Sequence, residues 1–88
     1  MFRGSALGRL VFACEAALRK SFEQRPVNGD PTEAEKKHRA NLAIEIARQL
    51  RGDLGWSVDK IADKLPEYLL NELDGVNWKP DQRQIWTP

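Results

Sequence analysis

The 88 residues hold a single cysteine and a single histidine. Cys14 alone excludes an internal disulfide and fits a reducing compartment. His38 has no cysteine or second histidine near it, so no zinc site is expected from this chain. The six glycines occur singly, so no loop can cradle a phosphate. No apolar run approaches the ~18 residues that cross a bilayer. A net charge of +1 excludes a general polyanion binder, which rests on clustered Lys and Arg. Carboxylates are spread along the chain rather than paired, and no nucleophile is placed beside His38. No catalytic, cofactor-binding or metal-binding residue is therefore expected, and the chain reads as non-enzymatic.

What is present is helical patterning. A chain this short buries only about 60–65% of its unfolded surface, which sets a small core. Leu7, Leu10, Val11, Cys14, Ala17, Leu18 and Phe22 recur at spacings of three and four, the stripe of an amphipathic helix. Arg25-Pro26 ends it, and Pro26 to Asp30 is turn material. The first residues also resemble a mitochondrial presequence in their arginines and early lack of acids, but a structural helix is the expectation. A second helix is predicted with Asp30 as its cap, Pro31 in its first position and Glu33 three residues past the cap. Leu42, Ala43, Ile44, Ile46, Ala47 and Leu50 give it a broad apolar face, and Gly52 is its expected left-handed stop.

The third helix starts at Ser57, with Trp56 and Ile61 placed as a hydrophobic staple. Val58, Ile61, Ala62 and Leu65 are expected to face inward. Pro66 is expected to end or bend this helix and to open a short fourth one, closed by Gly75. No segment alternates like a strand. The fold class is all-α: a small orthogonal or bundle-like arrangement of three main helices plus a short fourth. Residues 1–75 form the expected helical domain, and residues 76–88, VNWKPDQRQIWTP, an irregular extended tail.

Ile61, Ala62 and Leu65 resemble the opening of a DNA-reading helix-turn-helix. Pro66 occupies the turn position, where positive φ is needed, and the following EYLLNELDG carries three acids and no base. Such a helix would repel DNA. Basic groups lie elsewhere: Arg9, Arg19 and Lys20 on the first helix, and Lys36, Lys37 and Arg39 on the second. These six are the candidate nucleic-acid contacts, although Glu33, Glu35 and Glu45 can pair with bases on the second helix.

The tail holds Trp78, Lys79, Arg83, Ile85 and Trp86, residue types that dominate binding energies at interfaces. Tyr68, Leu69 and Leu70 add an apolar group, and adjacent leucines cannot both enter one small core. The expected function is binding another protein or larger complex as an accessory subunit, adaptor or inhibitor. A nucleic-acid-binding regulator is the alternative. The expected location is cytoplasmic, with the mitochondrial matrix second.

Overall fold

A computed structural model describes residues 6–75. They form three helices, α1 (Ala6–Gln24), α2 (Glu33–Gly52) and α3 (Val58–Leu73), with no strand among the described residues. Ion pairs join Arg9 to Asp59 and Arg25 to Asp74, so α1 and α3 run parallel. Arg39 meets Ser21, and Leu50 accepts from the Trp56 amide, so α2 runs antiparallel to both neighbours. The arrangement is an up-down-up bundle in which α1 packs most extensively against α3.

Large side chains of two helices fill the core. Ile46 and Leu50 of α2 meet Ile61, Leu65 and Leu69 of α3, all within 2% of full burial. At roughly 1.5–3 kcal/mol per buried aliphatic side chain, this group dominates the stability of the bundle. The core side of α1 is made of Ala13, Ala17 and Ser21, spaced four apart, and α2 adds the small buried Ala43 and Ala47. Small residues on both walls let the helix axes approach closely.

Three expectations are corrected. Helix α3 continues through Pro66 to Leu73, so the separate fourth helix does not form. Leu65, Tyr68 and Leu69, on both sides of the proline, are all buried, and their packing outweighs the lost backbone donor. Helix α2 is capped by Thr32 rather than Asp30, with its hydroxyl accepting from the Glu35 amide at 3.0 Å. Thr32 and Glu35 have the spacing of a capping box. The positive φ after α2 falls on Gly55 at 68°, not on Gly52, which lies inside the helix. The Ser57 cap stands, its hydroxyl accepting from Lys60, and Gly75 closes α3 with a φ of 83°. Trp56 is buried with Ile61 in the core, its ring 5.8 Å from that of Tyr68.

Candidate functional site: an apolar groove between α1 and α2

The stripe on α1 is divided: Ala17 is buried and Leu10 and Cys14 pack against the core, while its outer members and Phe12 beside it face solvent. Leu7, Val11 and Phe12 are 71%, 50% and 70% exposed, and the small Ala13–Ala17–Ser21 row takes the buried side. Small residues on the packed side of α1 suit close contact with α2 and α3. On α3, Ala62, expected inside, also points to solvent.

Between α1 and α2 lies an apolar groove of about 440 Å³. Leu7, Leu10, Val11, Cys14 and Leu18 form the α1 wall. Ala40, Ile44 and Ala47 form the α2 wall, and Ile44 is 46% exposed. The two charged residues of the groove stand on opposite walls: Glu15 on α1 and Arg48 on α2. Among the described residues neither has an ion-pair partner. A more polar depression along α2, lined by Asn41, Glu45, Gln49 and Asp53, shares Ile44 and Arg48 with the groove. The half-buried Cys14 thiol lies in the α1 wall, and burial, then Glu15, push its pKa up. It is held as the poorly nucleophilic thiol and contributes apolar surface.

Three of the six candidate nucleic-acid contacts, Arg9, Lys36 and Arg39, are engaged within the chain. Arg39 is buried: its Nε donates to Glu35 Oε2 at 2.6 Å and its Nη1 to the Ser21 carbonyl at 3.0 Å. Its guanidinium carbon lies 4.2 Å from the centre of the Phe22 ring. These contacts consume the charge as a clamp between α1 and α2. Arg9 is paired with Asp59, and Lys36 with Glu33 at 3.2 Å. Arg19, Lys20 and Lys37 are exposed, but consecutive Arg19 and Lys20 lie about 100° apart around α1.

Of the candidate protein contacts, Tyr68 and Leu69 belong to the core, and Leu70 is half-buried beside them. Burial, reinforced by Glu67, pushes the Tyr68 pKa up to about 12. Trp78, Lys79, Arg83, Ile85 and Trp86 lie outside the described residues. Spacing alone did not single out Ile44, Ala40 and Arg48 as a surface. The small-residue row at positions 13, 17 and 21 was the signal that turns the larger α1 residues outward.

Among the described residues no cluster of three His, Cys, Asp or Glu side chains could hold a metal ion. No helix of the described residues is long and apolar enough to cross a membrane. No family model matches this chain, and no curated protein or solved structure matches it either.

Proposed function

We propose that this protein is a protein-binding helical module, acting by steric or scaffolding contact rather than by catalysis. The apolar groove between α1 and α2 carries this reading, because Leu7, Val11 and Ile44 stay wet while Ala13 and Ala17 occupy the core. Contiguous apolar surface on so small a molecule marks a place where another surface is buried. Apart from Glu15 and Arg48 its lining is apolar, which favours a protein side over a small ligand that needs several placed hydrogen-bond partners to be oriented. The Trp78 and Trp86 segment serves as a second anchor in this reading. A cytoplasmic setting belongs with it, since the lone thiol stays reduced there.

The test is affinity recovery from the native host with tagged protein, followed by mass spectrometry, comparing wild type with Ile44→Asp. A protein recovered by wild type and lost in the variant supports the groove. Recovery insensitive to Ile44→Asp but abolished by replacing Trp78 and Trp86 with Ala moves the interface to the tail. If no substitution changes what is recovered, the binding reading fails.

A further inference from the structure

We propose that the occupant of the groove is a second copy of this chain, so that the protein forms a twofold dimer through α1 and α2. This rests on the protein-binding reading above and names the partner. The charges of the groove are what select it. Glu15 and Arg48 stand on opposite walls, and neither is paired among the described residues. A strongly acidic or basic partner would gain at one wall and lose at the other. A second copy does neither, because an isologous interface presents each patch to itself. A twofold axis parallel to α1 and α2 lays α1 of one copy over α2 of the other. Each Glu15 then faces the Arg48 of the second copy, and two ion pairs flank the apolar contact.

Shape agrees with charge. The α1 wall is a ridge carrying Leu7, Val11 and Leu18, whereas on the α2 wall the small Ala40 and Ala47 leave low ground on either side of Ile44. The ridge of one copy thus has a shallow seat on the other, the arrangement in which helices interdigitate. Dimerisation also brings two helices from each chain into a four-helix interface, which supplements a core that draws no large fully buried side chain from α1.

The experiment is sedimentation of the full chain from about 1 μM to 1 mM, a range spanning weak to moderate association. The expected result is a species of twice 10.0 kDa at the upper end. Ile44→Asp should abolish it without loss of helicity, because that side chain is 46% exposed. Glu15→Arg and Arg48→Glu should each weaken association by about tenfold, and the double reversal should restore it. Cys14 lies in the α1 wall and is the only cysteine, so its labelling rate should fall as the dimer forms. A monomer throughout overturns the dimer, as does a dimer indifferent to both charge reversals and to Ile44→Asp. If the chain is monomeric yet recovers a different protein in an Ile44-dependent way, the binding reading survives and the self-partner does not.

Discussion

Helices α1 and α3 lie side by side and parallel, yet they use their apolar residues in opposite ways. In α3 the large side chains Ile61, Leu65 and Leu69 are fully buried and the small Ala62 faces water. In α1 Ala13 and Ala17 are buried, and Leu7, Val11 and Phe12 are outside. Of these two, α3 supplies large side chains to the core. The other, held by close backbone approach and an ion pair at either end, is left to present a surface. Amphipathicity alone does not distinguish these roles. What distinguishes them is the size of the residues on the packed side.

The sharpest way to break this comparison is a pair of truncations. Leu65→Ala removes a fully buried side chain and should cost about 2–5 kcal/mol in denaturant unfolding. Phe12→Ala, on a side chain 70% exposed, should stay within about 0.5 kcal/mol when measured at dilutions where the chain is monomeric. Equal costs would mean that α1 also anchors the core. Next in size is an alkaline effect on α3. The Tyr68 pKa is pushed up to about 12, against an unfolded value near 10. Between these values the unfolded chain releases a proton that the folded chain keeps, so stability should fall as pH rises from about 10 toward 12. Tyr68→Phe should remove that slope, and an unchanged slope would deny the phenol its buried place.

A smaller effect, of opposite sign, is expected at Pro66. The proline interrupts the backbone bonds of α3 in mid-helix. Pro66→Ala supplies the missing donor and should raise stability by about 1–2 kcal/mol, seen as a higher Tm. A loss would show that the ring of the half-buried Pro66 contributes more to packing than its missing amide costs.

Much of the architecture is legible in the sequence. Helix positions, the Ser57 cap and the Gly75 stop follow from local chemistry, and local chemistry is what sequence spacing reports. Pro66 was misread because its propensity is local whereas the burial of Leu65 and Leu69 around it is not. Arg39 was misread for the same reason. Its Glu35 partner is four residues away, but Ser21 is eighteen residues away and becomes a neighbour only after α1 and α2 pack. The groove was hidden most deeply. Counting apolar residues on α1 found the stripe, but choosing its buried side required knowing how near the other helices come.

The two ends of the α1–α3 pair give the smallest expected effect and the finest test of how α1 is held. Arg25 donates to Asp74 twice, from Nε at 2.5 Å and from Nη2 at 2.6 Å, a bidentate pair at the end of α3. Hydrogen bonding to Arg25 holds the Asp74 carboxyl below its ordinary value of 3.8, against a smaller opposing effect of burial. A depressed carboxylate contributes stability above the unfolded pKa and loses it as pH falls through the folded one. The wild-type chain should therefore show an acid-side decline below about pH 4 that Asp74→Asn flattens. The pair is exposed, so solvent screens it, and the variant at neutral pH should lose little. If α1 is pinned to α3 at its ends, the substitution should speed amide exchange in the last turn of α1 and leave the Ala13–Ala17 region unchanged. Uniform loosening along α1 would instead make the ion pairs, not the alanine row, the main attachment of the helix that presents the groove.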